Sequence, residues 1–270
     1  MSQSIYNFNA GGQNMVGGAV ETIVFNSSEI ASDQVAGFYL TVDNADTISS
    51  ITRVRIKSSG TTIYDVSLPE LLAYFQRASR SNFTANPAVD QSLSVPLYIL
   101  DSSGSERYAA GFPRSQACTV EVVRDATGTA GRMFCGWRLW TTPFPFYSVF
   151  TGTQSNIAGA AVNFRVPISA PGLLRYWGLP MDNLLRARLV VSGQQLVDMS
   201  RDQLLESQQM EGLDGATPTL GQFQMFKLDS MIPVSAGNSY LELETGAGWS
   251  ATDEVAFYTL VPQVDPNARA

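Results

Sequence analysis

Residues 53–72, RVRIKSSGTTIYDVSLPELL, and residues 186–205, RARLVVSGQQLVDMSRDQLL, align without a gap at an offset of 133 positions (186 − 53 = 133). Eight positions are identical: Arg53/Arg186, Arg55/Arg188, Ser59/Ser192, Gly60/Gly193, Asp65/Asp198, Ser67/Ser200, Leu71/Leu204 and Leu72/Leu205. Chance would give about one or two, so the chain carries an internal duplication. Other positions agree in kind, with Val54/Ala187, Ile56/Leu189, Ile63/Leu196 and Val66/Met199 all apolar.

One copy of the repeat can be read residue by residue. In RVRIK, Val54 and Ile56 alternate with Arg53, Arg55 and Lys57, the period-two pattern of a strand with one wet face. SSG supplies a turn whose glycine is free to take positive φ, and TIYDV returns as a second strand. Ser67 caps a short helix and Glu70 closes a capping box, with Ser200 and Gln203 in the same two roles in the second copy. Pro69 falls in the first helical turn, where its missing N–H costs little. Each copy is therefore a hairpin followed by a capped helix. A solvated strand face accounts for the paired arginines most simply; binding of anions or subunits is the alternative.

The correspondence extends in both directions. ETIVF (21–25) matches NFRVPI (163–168), LYILDS (97–102) matches MFKLDS (225–230), and TVEVV (119–123) matches YLELE (240–244). The last pair, MFCGWRLWTTP (133–143) and EVAFYTLVP (254–262), stops at proline in both halves, and the offset has shrunk to 119 (262 − 143 = 119). Short strands broken by Gly, Pro, Asn and Ser point to an all-β chain of antiparallel sandwiches or barrels. Between the halves, TTPFPFYSVFTGTQSNIAG (141–159) has no clean period, and Pro143 and Pro145 argue against regular pairing. The expected organisation is a flexible N-terminal arm over 1–20, a first sandwich over 21–145, a connector over 146–160, a second sandwich over 161–262 and a tail over 263–270. Phe144, Phe146 and Tyr147 are the candidate contact residues, plugging the seam between domains or anchoring a neighbouring subunit.

The composition excludes several chemistries. Among 270 residues there is no histidine, which removes Ser-His-Asp and Cys-His nucleophile pairs and His-ligated metal centres. Asp202 and Glu206 share a helix face, but their surroundings read as a helix surface, and nothing marks a catalytic pair or a cofactor site. No metal-ligand spacing can be named. Cys118 and Cys135 flank DATGTAG; they are either near neighbours on paired strands or, more simply, small buried hydrophobes. Net charge is −7, residues 1–20 carry no charged side chain, and the first basic residue is Arg53. Without a basic arm, direct nucleic-acid binding is not expected. No run of about 18 apolar residues reads as a membrane-spanning helix. The start, MSQSIYNFNAGGQNMVGG, lacks the basic and apolar regions of a signal peptide, so an intracellular origin is expected.

Two β-rich halves, each with a hairpin and helix inserted between strands, resemble the double jelly-roll major capsid proteins of tailless icosahedral viruses. In length the chain is most similar to those of corticovirus-like, often membrane-containing bacteriophages. The resemblance covers roughly residues 21–262. It implies two tandem antiparallel jelly-roll sandwiches, each with a short helical insertion. It also implies a homotrimer that presents a pseudo-hexagonal tile to neighbouring capsomers. Expected partners are further copies of the chain, vertex or minor capsid proteins, and an internal viral membrane through the N-terminal arm. No enzymatic activity and no cofactor follow from it, and the location is the virion, after synthesis in the host cytoplasm. The alternative is a tandem carbohydrate-binding module or glycosidase accessory protein. Its sugar-stacking candidates are Trp137, Trp140, Trp177 and Trp249, though Trp137 and Trp140 stand at odd separation in one strand and face opposite sides. A glycosidase would need two carboxylates across a cleft.

Overall fold

The computed structural model describes residues 3–15, 20–25, 35–42, 51–58, 60–79, 93–96, 110–111, 118–124, 131–140, 146–158, 163–210, 223–235 and 237–262. The chain divides into two compact units. One comprises Met1–Leu68, Asn82–Ser148 and Pro262–Ala270, the other Pro69–Ser81 and Val149–Val261.

The strands of the first unit are β1 (Gln3–Met15), β2 (Val20–Phe25), β3 (Val35–Val42), β4 (Ile51–Ser58), β5 (Thr61–Ser67), β6 (Leu93–Pro96), β7 (Ala110–Gly111), β8 (Cys118–Arg124) and β9 (Gly131–Trp140). Two strand orders organise all of them but β7: β1-β9-β3-β6 and β2-β8-β4-β5, with antiparallel pairing within each. The repeat hairpin behaves as its alternation requires. Val54 and Ile56 are buried while Arg53, Arg55 and Lys57 stay partly exposed on the opposite face.

The second unit holds most of β10 (Phe146–Gln154), then β11 (Asn163–Pro167), β12 (Gly172–Pro180), β13 (Leu184–Val191), β14 (Gln194–Ser200), β15 (Phe223–Val234), β16 (Tyr240–Thr245) and β17 (Glu254–Pro262). Its strand orders are β10-β17-β12-β15 and β11-β16-β13-β14. These are the orders of the first unit with β7 set aside: β1 to β6 correspond to β10 to β15 in turn, β8 to β16 and β9 to β17, while β7 has no counterpart among the described residues. The matched segments obey this. ETIVF and residues 163–167 of NFRVPI lie in β2 and β11, TVEVV and YLELE in β8 and β16, and residues 133–140 of MFCGWRLWTTP and all of EVAFYTLVP in β9 and β17, with residues 141–143 outside the described residues. MFKLDS lies in β15, whereas LYILDS falls outside the described residues. The β13–β14 turn uses positive φ at Ser192 (49°) and Gly193 (79°), the requirement of a tight two-residue hairpin loop. That is why the S-G pair recurs.

The core of the second unit lies between its two sheets. Leu174, Trp177, Leu179, Leu189, Phe226, Leu241, Leu243, Trp249 and Phe257 are buried there, and Trp177 stacks on Phe226 at 4.7 Å between ring centroids. Each such side chain contributes about 1.5–3 kcal/mol relative to an exposed one. The helix α1 (Leu68–Ser79) follows the first hairpin, yet from Pro69 onward it belongs to the second unit. There Tyr74 meets Phe150 at 5.1 Å, Tyr176 at 5.4 Å and Tyr258 at 5.0 Å. Strands β12 and β17 are consequently buried over most of their length, on both faces, which is why EVAFYTLVP reads as a nearly continuous apolar run. The helix α2 (Arg201–Met210) follows the second hairpin and buries Leu204 and Gln208, leaving Asp202, Gln203 and Glu206 exposed.

Two sequence expectations change, and one of the two readings of the cysteines falls away. Residues Gln3–Met15, placed in a flexible arm, form β1 and pair with β9 from Gln3↔Trp140 to Met15↔Gly131. A polar, glycine-containing stretch is held as a strand by long-range backbone pairing, which composition does not register. Residues 146–154, placed in a connector, form β10; Pro143 and Pro145 precede the strand instead of interrupting it. Cys118 and Cys135 lie in β8 and β9, which belong to different sheets and do not pair with each other.

Candidate functional surface

The strongest constellation of polar side chains is a ladder of charge running across strands. In the second unit the register aligns Arg165 (β11) with Glu242 (β16), Glu242 with Arg188 (β13), and Arg188 with Asp198 (β14). Arg165 Nε donates to Glu242 Oε2 at 3.0 Å, and Arg188 Nη1 to Glu242 Oε1 at 2.6 Å. Arg188 Nε lies 3.4 Å from Asp198 Oδ1, and Arg186 Nη2 donates to Asp198 Oδ2 at 2.7 Å. The Arg165 guanidinium also sits 4.5 Å above the Tyr240 ring. The first unit repeats the motif with Glu121 (β8), Arg55 (β4) and Asp65 (β5) in register. Arg55 Nε donates to Asp65 Oδ1 at 3.1 Å, Arg53 also pairs with Asp65, and Lys57 Nζ donates to Glu121 Oε1 at 2.6 Å.

The identities of the repeat thereby acquire causes. The two Arg pairs with Asp65/Asp198 build the ladder, and Gly60 and Gly193 both adopt positive φ. Ser200 closes its capping box with Gln203, by Gln203 N–H to Ser200 Oγ at 3.3 Å and Ser200 N–H to Gln203 Oε1 at 2.9 Å. The ladder leaves its mark on ionisation. The hydrogen bond from Arg186 holds the Asp198 carboxyl below the usual carboxylate range, and those from Arg165 and Arg188 do the same for Glu242. Arg165 and Arg186 are shifted up by the reciprocal bonds. Arginines already committed to carboxylates in the sheet are poor anion receptors, so the solvated-face reading of the paired arginines prevails. Partly exposed pairs of this kind are each worth little in stability; they fix which residue stands opposite which.

The remaining candidates are distributed as follows. Phe146 and Tyr147 are half-buried at the start of β10, opposite Ala110 and Gly111 of β7 in a parallel pairing; Phe144 lies outside the described residues. Trp177 and Trp249 are each 2% exposed, and Trp249 Nε1 donates to Ser155 Oγ at 3.1 Å. Neither can offer a ring face to a sugar. Trp137 and Trp140 lie in β9. Asp202 and Glu206 are exposed on α2, and no group of three or more Cys, Asp or Glu placed to hold a metal ion occurs among the described residues.

One feature escaped the sequence reading. Large apolar side chains are exposed at Leu185 (48%) on β13 and Leu196 (40%) on β14. The signal was present in the repeat itself, because Leu196 aligns with Ile63, which is 3% exposed. Identical pattern with unlike burial marks a difference of surroundings.

No protein-family model and no curated protein matches the chain by sequence. Solved structures do match by fold. The major capsid protein of bacteriophage PM2 superposes with a TM-score of 0.70 at 12% identity, over 98% of this chain and 99% of that one. The STIV major capsid protein gives 0.69 at 12% identity, over 100% of both. A chain of the PBCV-1 virus capsid gives 0.55 at 9% identity, over 96% and 93%. The chain has the double jelly-roll fold. Because likeness runs through both halves over nearly the full length of each chain, the duplication seen in the sequence is the duplication of this architecture.

Proposed function

We propose that the protein is the major capsid protein of an icosahedral virus, located in the virion. In this reading three copies form a pseudo-hexagonal capsomer, and capsomers pack against one another and against vertex or minor capsid proteins. The observation that carries the reading is the pair of jelly rolls with identical strand order, matching capsid proteins end to end at TM-scores of 0.70 and 0.69. The charge distribution agrees with it, since a tile separated from the genome needs no basic arm. Function then resides in contacts between copies and involves no turnover. Gln3–Met15 is hydrogen-bonded into a sheet, so an N-terminal arm lying against a membrane is not part of this proposal.

Light scattering on the purified protein is expected to give a particle of three 29.3 kDa chains, with three-fold, hexagon-like outlines by electron microscopy. A monomer at every concentration, with no assembly, would overturn the reading. The carbohydrate-binding alternative predicts that monomer together with glycan binding, but buried Trp177 and Trp249 remove two of its four stacking candidates.

A further inference from the structure

The outer face of the sheet β11-β16-β13-β14 carries its charges in a particular order. Read from β11 to β14, one row across the strands is Arg165, Glu242, Arg188 and Asp198, or plus, minus, plus, minus. The adjacent row is Asn163, Glu244, Arg186 and Ser200, or neutral, minus, plus, neutral. Turned end for end, each row presents the opposite sign at every charged position. The duplicated sheet of the first unit does not have this property. Its rows are Thr22, Glu121, Arg55, Asp65 and Val20, Val123, Arg53, Ser67. Thr22 stands where the second unit has Arg165, and Val123 where it has Glu244, so reversal there leaves Asp65 and Arg53 without a counter-charge.

The face is open and firmly backed. The side chains of Arg165 and Arg186 are 63% and 44% exposed, while Phe164, Val166, Ala187, Leu189, Leu241 and Leu243 of the same strands are buried beneath them. Arg165 is held over the Tyr240 ring and every charge in its row is braced by a neighbour, so little side-chain freedom remains to be lost on docking. Arginine and tyrosine are also the residue types enriched where proteins meet. The three arginines balance Asp198, Glu242 and Glu244, which leaves the patch neutral on a chain of net charge −7. Copies that repel one another as wholes can approach here.

We propose that this face docks on the same face of a second copy, through a two-fold axis lying in the contact and parallel to the strands. Such an axis reverses the strand order and keeps each row opposite itself. Arg165 then meets Asp198 of the second copy, Glu242 meets Arg188, and Glu244 meets Arg186, each pair made twice as a self-matching contact requires. An axis along the rows would instead set Glu242 against Glu244 and Arg188 against Arg186, so the charges select one orientation. The strands of the two copies run alongside each other, as in the aligned mode of sheet-on-sheet packing. Committed arginines make poor receptors for a free anion, but a fixed array of both signs matches its own reverse. Such matching sets register and partner choice more than affinity. The proposal rests on the assembly reading above and names a face through which one capsomer would meet the next.

The test uses the full chain. Arg165→Glu and Asp198→Lys are purified separately as three-chain particles, and association between particles is followed by sedimentation velocity at low salt. Each reversal brings like charges together twice per contact, so each variant alone should associate at least about tenfold more weakly than wild type. An equal mixture of the two should recover wild-type association, because the reversed positions then meet each other and the unreversed ones do likewise. Glu244→Lys with Arg186→Glu repeats the experiment in the second row, which keeps it decisive where Asp198→Lys does not fold. Wild-type association should itself weaken as salt is raised. Association that is indifferent to salt or to Arg165→Glu would overturn the proposal and leave the capsid reading standing. So would loss in both variants without recovery in the mixture, because the charges would not be meeting each other, and so would three-chain particles that never associate. A wild-type chain that forms no three-chain particle would instead overturn the capsid reading.

Discussion

The hairpin–helix of residues 51–79 and that of residues 184–210 share eight identities in twenty positions and fold alike locally, yet they are used differently. In both, two strands meet at a positive-φ glycine, a serine begins the helix, and an Arg-Arg-Asp cluster stands on the outer face. Past that point they diverge. The aligned pairs Glu70/Gln203, Tyr74/Ser207 and Arg77/Met210 convert one helix into a buried element of the second unit and leave the other with two buried side chains, Leu204 and Gln208, among those described. The lesson is that capping and alternation set the local fold, while three side chains on one helical face decide where it docks. The strongest way to break the comparison is Tyr74→Ala. Removing a ring packed among Phe150, Tyr176 and Tyr258 should cost about 3–5 kcal/mol, read from a denaturant midpoint. At the aligned position, Ser207→Ala loses only a hydroxyl donating to Leu204 C=O at 2.8 Å and should cost about 0.5–1.5 kcal/mol. Equal losses would mean that the two helices dock alike.

A glycine sharpens the same contrast. Gly152 of β10 lies under α1: a Cβ there would stand 2.8 Å from carboxylate oxygens of both Glu70 and Glu254. Gly152→Ala should therefore push these carboxylate ends aside, at a cost of up to about 1 kcal/mol. Gly193 has open space around its missing Cβ and a φ of +79°, so Gly193→Ala should cost about 1–2 kcal/mol from backbone conformation alone. Shortening Glu70 to Asp in the same chain should relieve part of the Gly152→Ala loss and none of the Gly193→Ala loss. Absence of that rescue would show that α1 does not set the spacing at Gly152.

Most of the fold was legible because its information is local and written twice. Alternation in RVRIK and YLELE, the S-G turn and the serine caps each act over a few residues, and the duplication let a weak signal in one half be checked against the other. What escaped was non-local. Strand β1 has few large apolar side chains and owes its conformation to pairing with β9, which lies more than a hundred positions away. Strand β10 was hidden by Pro143 and Pro145, although both lie outside it. The placement of α1 in the second unit was equally invisible, since its own sequence shows an apolar face but not what that face meets. The candidate surface divides along the same line: the wet strand face that carries the arginines could be read from alternation, whereas their pairing with Asp65 and Asp198 and the exposure of Leu196 became visible only when the strands were in register and burial of the two copies was compared.

The smallest expected effect concerns the ladder. Asp198 and Glu242 have carboxyls held below their ordinary range by Arg186, and by Arg165 and Arg188. A carboxylate whose folded value is depressed adds stability that is fully present above its unfolded value and is lost as pH falls through the folded one. The second unit should therefore keep this contribution at neutral pH and lose it in acid, below the ordinary carboxylate range. Thermal midpoints measured from neutral pH down through that range should fall less steeply for Asp198→Asn than for wild type, with the two curves converging in acid. Raising salt should shrink the difference in part, since both carboxylates remain partly exposed to solvent. If Asp198→Asn follows the wild-type curve throughout, the ladder sets strand register and adds nothing to acid stability.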